Sequence, residues 1–177
     1  MAGETRIRGW DADAAVPKYW DGSAWVEETI TLGEAGGITL DPALSADGKY
    51  SGISEAGTAG AALAFGDIVY QAVADSRWEL AKADVAATSK GKIGICVLAA
   101  AGDGSATTIL LWGKVNAATA FPALTIGAPV FISAATAGDV TSTAPTGTTN
   151  FVVRIVGFGN TADELFFCPD NFYLELA

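Results

Sequence analysis

The amino-acid sequence predicts an all-β protein: a small antiparallel β-barrel or sandwich built from two similar halves, with an extended N-terminal arm or hairpin. Short runs rich in β-branched and aromatic residues recur between turn residues. No apolar period of 3.6 residues persists long enough for a major helix, and one part of the chain echoes another. Half of the 177 residues are apolar and only 17% are charged, so we expect the chain to fold around its own core.

The first predicted element is an aromatic hairpin within residues 1–30. Residues 18–26 have the pattern of a strand, an Asp-Gly turn and a second strand. Three of the five tryptophans of the chain, Trp10, Trp20 and Trp25, lie in this region beside Tyr19. So small a hairpin is not stable alone, and we expect it to dock on the body or on another protein.

Residues 31–60 alternate short β-like runs with turn residues, and we expect linker strands there, with at most a turn or two of helix at 59–64. The β-like runs are at residues 29–32 and 37–40. We therefore divide the chain into an N-terminal arm, residues 1–60, and a β-barrel body, residues 61–177.

The body contains four clear strand candidates, at residues 67–73, 92–98, 107–112 and 151–156. The turn sequence at 102–105 predicts a hairpin between the second and the third. Residues 78–87 have room for a short helix. Pro129 is expected at a strand start or edge, because proline cannot donate a hydrogen bond to a ladder.

An internal sequence repeat predicts that the body is built from two similar halves. Residues 66–70, GDIVY, correspond to residues 127–131, GAPVF, at an offset of 61, and Ile93-Gly94 corresponds to Val156-Gly157 at an offset of 63. Each copy is followed by a turn and a further apolar run. Two such units would close into one small barrel or sandwich.

Charge and composition argue against several classes of function. The net charge of -10 disfavours nucleic acid as a partner, since no basic stripe is visible. Histidine is absent, which removes the commonest general base and metal ligand. Residues 1–10 carry no apolar signal segment, and no run is apolar enough to span a membrane, so we expect synthesis in the cytoplasm and no membrane partner.

The remaining polar residues form no recognisable catalytic or metal site. Carboxylates adjacent in sequence, such as Asp163 and Glu164, would point to opposite faces of a strand and are expected to be solvated. The aspartates at 11, 13 and 21 do not have the spacing of an EF-hand loop. Cys96 and Cys168 lack zinc or redox spacing and are expected as buried free thiols, a disulfide between them being the alternative. We therefore expect no catalytic residue, no metal, no cofactor and no enzymatic activity.

Two segments of the body resemble the head decoration (capsid cement) proteins of tailed phages. Residues 91–100, GKIGICVLAA, and 107–115, TTILLWGKV, are similar to the Ile-Gly strand, alanine run and Thr-rich strand ending in Gly-x-Val of that family. Residues 66–70 resemble its barrel-opening strand, and the resemblance covers roughly residues 60–177. In addition, residues 19–25, YWDGSAW, are similar to aromatic-Asp-Gly segments of phage head-fibre and tail-fibre subunits.

The resemblance implies a non-enzymatic virion protein that is assembled in the host cytoplasm and stabilises the outer surface of the capsid. It implies a β-tulip-like body that forms a homotrimer, and an N-terminal arm that reaches the major capsid protein. Aromatic anchors dominate interfaces of this kind. We therefore predict that the capsid contact is made by Trp10, Tyr19, Trp20 and Trp25.

Two other classes of function remain open. A head-fibre or tail receptor-binding module would touch a host surface through exposed loops such as residues 134–150. A histidine-free glycan-processing enzyme on a β-sandwich would use Asp and Glu residues that lie apart in the sequence.

Overall fold

A computed structural model describes the backbone of three N-terminal strands, β1 (Arg8–Asp11), β2 (Val16–Trp20) and β3 (Trp25–Glu27), and residues 39–177 in full. The regular structure of these residues is β-strand apart from one 3₁₀ turn at Ala86–Thr88, which confirms the predicted all-β class. The chain groups into two compact units, Met1–Thr39 and Leu40–Ala177.

The N-terminal unit contains a three-stranded antiparallel sheet in the order β1-β2-β3. Trp20 pairs with Trp25 across β2 and β3, as expected for a hairpin, and Trp10 pairs with Pro17 across β1 and β2. The predicted Asp-Gly turn lies outside the described residues. The same holds for the β-like run at 29–32, for the first half of the run at 37–40, and for two of the three aspartates considered for calcium, at 13 and 21.

The second unit is a curled antiparallel sheet that forms a half-barrel. Nine strands of residues 40–177 make this sheet, and a small two-stranded sheet adjoins it. Its strands are β4 (Lys49–Thr58), β5 (Ile68–Gln71), β6 (Trp78–Leu80), β7 (Ile93–Leu98), β8 (Ala106–Asn116), β9 (Pro129–Ile132), β10 (Val140–Thr141), β12 (Ile155–Gly159) and β13 (Glu164–Phe167). The small sheet pairs β11 (Val152–Val153) with β14 (Leu174–Glu175).

The long strand β8 joins the two halves of the sheet. One edge of β8 pairs with β4 along its whole length. The other edge pairs with β7 at residues 108–110 and with β13 at residues 113–116. Between these segments the ladder with β4 has a bulge, and Gly113 has a φ of 138°. A bulge bends a strand and increases its twist, so β8 can serve both halves of the curled sheet.

Pairing order shows that the body is built from two similar halves, as predicted. The first half has the order β6-β5-β7-β8, and the second has the corresponding order β10-β9-β12-β13. Val69 pairs with Gly94 in the first half, and Val130 pairs with Gly157 in the second. These pairs have the offsets of 61 and 63 residues that the sequence repeat has.

Backbone hydrogen bonds repeat with the same offsets. The Gly66 N–H donates to the Cys96 carbonyl at 2.9 Å, and the Gly127 N–H donates to the Gly159 carbonyl at 2.8 Å. In return, Cys96 donates to the carbonyl of residue 67, and Gly159 donates to that of residue 128. Gly66 and Gly127 both have positive φ, at 95° and 74°, a conformation that glycine adopts without steric cost.

The main core lies between the two halves and takes side chains from both. Its fully buried members include Ile68 and Leu110 from the first half, and Ile132 and Leu165 from the second. A smaller cluster surrounds Trp78, with Val69, Cys96 and Ile109. Because both halves line one core, neither buries its apolar face without the other.

Four expectations about elements differ from the structure. The single strand expected at 151–156 is divided between β11 (Val152–Val153) and β12 (Ile155–Gly159), which lie in different sheets. The sequence placed a possible helix at 78–87, but Trp78 lies in β6 and only Ala86–Thr88 form a 3₁₀ turn. Residues 59–64 form bridges and bends instead of a helical turn. The arm was expected to run to residue 60, whereas β4 pairs within the body and the units divide after Thr39. In each case pairing with a distant strand overrides the local pattern.

Candidate protein interface

A row of exposed apolar side chains crosses one face of the sheet in the body. We call it the apolar row and define it as Ile53 on β4, Trp112 on β8, Phe166 on β13 and Phe158 on β12. Ile53 pairs with Trp112, and Phe158 pairs with Phe166. The Trp112 and Phe166 rings meet edge to face with centroids 5.2 Å apart. The row is therefore continuous over four strands.

Solvent reaches most of this row. Ile53 is 51% exposed, Trp112 is 38% exposed and Phe158 is 40% exposed, while Phe166 is half-buried between its neighbours. The edge-to-face geometry is a favourable aromatic arrangement, so the rings hold each other in place before any partner binds.

Local backbone features explain why these side chains face outward. The bulge in β8 lies directly before Trp112 and resets the alternation of its side chains, leaving Leu110 buried and Trp112 exposed. Gly52 and Gly113 pair beside the row, and a Cβ on Gly52 would lie 2.1 Å from the Trp112 carbonyl oxygen. Only glycine allows β4 and β8 to approach this closely.

A contiguous apolar row of this kind is unusual on the surface of a soluble protein. Single exposed apolar residues are common, but continuous patches mark binding sites. Trp and Tyr are enriched among the residues that dominate binding energy, and Phe is enriched at interface cores. The apolar row is the best candidate for a protein interface on the body.

A second apolar patch lies near β14, and we call it the C-terminal patch: Phe172, Tyr173 and Leu174. Phe172 is 84% exposed and Leu174 is 60% exposed. An open groove of about 320 Å³ adjoins this patch and is also lined by Phe131 and Ile155.

The sequence-predicted anchors all lie in the three-stranded sheet of the N-terminal unit. Trp10 is on β1, Tyr19 and Trp20 are on β2, and Trp25 is on β3. Tyr19 pairs with both Arg8 and Val26, which places it on the central strand. The backbone therefore brings the four aromatics into one small sheet. The apolar row was missed from sequence, because its members become neighbours only through pairing of distant strands.

Glu164 corrects the expectation that the Asp163-Glu164 pair is solvated. Its side chain is buried and accepts hydrogen bonds from the Leu44 N–H at 3.2 Å and from the Asn160 side chain. Lys114 Nζ lies 3.9 Å from the carboxylate and also donates to the Asp41 carbonyl at 2.9 Å. Together these contacts fasten residues 41–44 to the body beside the strands that carry the apolar row.

The described cysteines belong to no cluster that could hold a metal ion. Residues 39–177 and the three N-terminal strands contain no group of three metal-ligating side chains. Both cysteines are free thiols, Cys96 buried as expected and Cys168 only partly buried. Burial raises the pKa of each thiol, so the neutral form is favoured at neutral pH.

In the part of the chain that the structure describes, no helix has the length and apolar character needed to cross a bilayer. Comparison of the chain with protein-family models, with curated proteins and with solved structures yields no significant match.

Proposed function

We propose that the chain is a non-enzymatic virion protein that binds the outer surface of a tailed-phage head and stabilises the shell. The observation that carries this proposal is the apolar row, Ile53, Trp112, Phe166 and Phe158, a preformed aromatic surface on a rigid sheet. Such a surface is more typical of a permanent contact with another protein than of an enzyme's catalytic cleft. The resemblance of residues 60–177 to decoration proteins supplies the kind of partner.

Two surfaces on separate units suit a protein that bridges capsid subunits. The N-terminal sheet carries Trp10, Tyr19, Trp20 and Trp25 and is the proposed contact with the major capsid protein. Its outer strands β1 and β3 each pair on one side only within the described residues, so they offer edges for strand addition. The apolar row is the proposed contact between three copies of the body. In a trimer, three modest contacts with the head would act together, which would raise the overall affinity.

The test uses heads of the encoding phage prepared without this chain. We expect the full chain to co-sediment with these heads and a variant lacking residues 1–39 to remain in the supernatant as a folded body. Trp112→Ser with Phe158→Ser should preserve the fold but weaken trimerisation and head binding by at least about tenfold, since hot-spot aromatics contribute about 2 kcal/mol or more each. Val73→Ser is the matched control, because Val73 is fully exposed at 102% and lies outside the row.

Two results would contradict the proposal. One is full head binding by the variant lacking residues 1–39. The other is equal binding by the double variant and the Val73→Ser control.

A groove beneath residues 134–150 favours a second candidate, a head-fibre or receptor-binding module. The groove has a volume of about 310 Å³ and combines Thr141 and Thr143 with Pro145 and Phe151. Hydroxyl groups beside an aromatic ring suit a carbohydrate ligand. Adsorption of the labelled chain to host cells, without binding to heads, would favour this candidate over the first.

A further inference from the structure

Arg154 is a buried arginine, 5% exposed, between β11 and β12. Its Nε donates to the Asp170 carbonyl at 2.9 Å, and its Nη1 donates to the carbonyls of Ser89 at 2.8 Å and Gly91 at 2.7 Å. Three of its five N–H groups therefore hold two loops against β12.

The charge of Arg154 has no ion-pair partner in the described part of the chain. No carboxylate oxygen of these residues lies within 4.0 Å of the guanidinium, and its three partners are neutral carbonyls. Desolvation lowers the pKa of Arg154, and the charges of Asp170 and Tyr173, which act in the opposite direction, offset this shift only in part. Buried charges are normally paired, so this arginine requires an explanation.

Arg154 lines a cavity, and the free end of its guanidinium is not fully buried. Nη2 donates to none of the described residues. It nevertheless keeps some contact with solvent, in contrast to Asn116 Oδ1, which is fully buried without a hydrogen-bond partner. The cavity has a volume of about 440 Å³, and Arg154 lines it together with Lys90, Lys92 and Asn171. Ile93 and Leu111 also line the cavity. Three of the ten basic residues of an acidic protein thus converge on one cavity.

The two lysines retain donors for a ligand. Lys90 pairs with Glu175 and lies 5.0 Å from the centre of the Tyr173 ring. Lys92 pairs with Glu55 and lies 5.2 Å from that of Trp78. Each ammonium group has three N–H donors, so one carboxylate contact leaves others available.

We propose that this cavity binds a tetrahedral oxyanion, a phosphate or sulfate group, through Arg154 Nη2 and the ammonium groups of Lys90 and Lys92. Nε and Nη1 are occupied by carbonyls, so the guanidinium offers an anion only Nη2, and the further donors must come from the two lysines. Donors from two segments that line one cavity, residues 90–92 and Arg154, suit the three or four oxygens of a tetrahedral anion better than the two of a carboxylate. The anion would supply the negative charge that Arg154 lacks.

The test measures the thermal stability of the full chain and the heat of binding with sodium phosphate, sulfate and acetate, with ionic strength held constant by sodium chloride. We expect a saturable rise in Tm with phosphate and sulfate and none with acetate. Arg154→Lys should abolish the effect. Because this variant also loses carbonyl contacts and could unfold, Lys90→Gln with Lys92→Gln provides the second variant, expected to weaken binding about tenfold.

Lys82→Gln is the matched control, since Lys82 is similarly ion-paired, with Asp84 at 2.7 Å, but does not line the cavity. The proposal is overturned if phosphate gives no saturable response. It is also overturned if acetate matches phosphate, or if the double lysine variant responds as Lys82→Gln does, because a general salt effect would then explain the stabilisation.

Discussion

Asp67 is a half-buried carboxyl at the entrance of β5. Its Oδ2 accepts the Ala64 N–H at 2.7 Å. Desolvation nevertheless raises the pKa of Asp67, the Ala64 hydrogen bond opposes this shift, and Asp139 adds to it. The folded protein therefore holds this proton more tightly than the unfolded chain, so the stability contribution of Asp67 falls as pH rises through its folded pKa.

We predict that Asp67→Asn stabilises the protein at neutral pH by about 0.5 kcal/mol, since the amide oxygen can still accept the Ala64 N–H without a buried charge. The gain should shrink as pH falls below the folded pKa of Asp67 and vanish below the pKa of the unfolded chain, where both states hold the proton. Urea unfolding at several pH values measures the difference. Asp163→Asn, at an exposed position, controls for the loss of one negative charge; a gain for Asp67→Asn that persists in acid would refute the explanation.

The aliphatic-Gly pair that is repeated in the two halves has a physical basis in the glycines of β7 and β12. A Cβ on Gly94 would lie 2.2 Å from Ile109 Cγ2, and a Cβ on Gly157 would lie 2.1 Å from the Phe166 carbonyl oxygen. Both glycines permit a close approach of the adjacent strand. This requirement explains why both copies retain an aliphatic-Gly pair at this position.

Gly94→Ala and Gly157→Ala should each destabilise the fold by about 1–3 kcal/mol, since the added methyl overpacks the sheet. Gly102→Ala provides the control, because a Cβ there meets nothing within 4 Å. Its effect should stay within about 0.5 kcal/mol. Chemical denaturation compares the three variants, and a small effect at either strand glycine would show that the sheet relaxes around it.

Strands with strong local signals could be predicted from the sequence, and strands that depend on distant partners could not. β7 and β8 are rich in Ile, Leu and Val, and both were predicted near their observed positions. β4 has the sequence KYSGISEAGT, which has little strand propensity, and it forms because β8 offers it a complete edge. The apolar row and the cavity at Arg154 could not be predicted for the same reason, since each combines residues from segments far apart in the chain.

The molecule as a whole combines a two-halved body with an aromatic N-terminal sheet. The body has a single main core shared by both halves, so we expect it to unfold cooperatively. Its exposed aromatic row is a liability for an isolated monomer, because such patches promote association. Self-association and binding to a shell would both cover this surface.

We propose that this chain binds a phage head as an oligomer, and light scattering combined with sedimentation tests this claim. The purified full chain is first sized by chromatography with light scattering, then mixed with undecorated heads and centrifuged. We predict a trimer, or a monomer that trimerises on the shell, which co-sediments at a fixed ratio to the major capsid protein. A stable monomer that stays in the supernatant would contradict the claim.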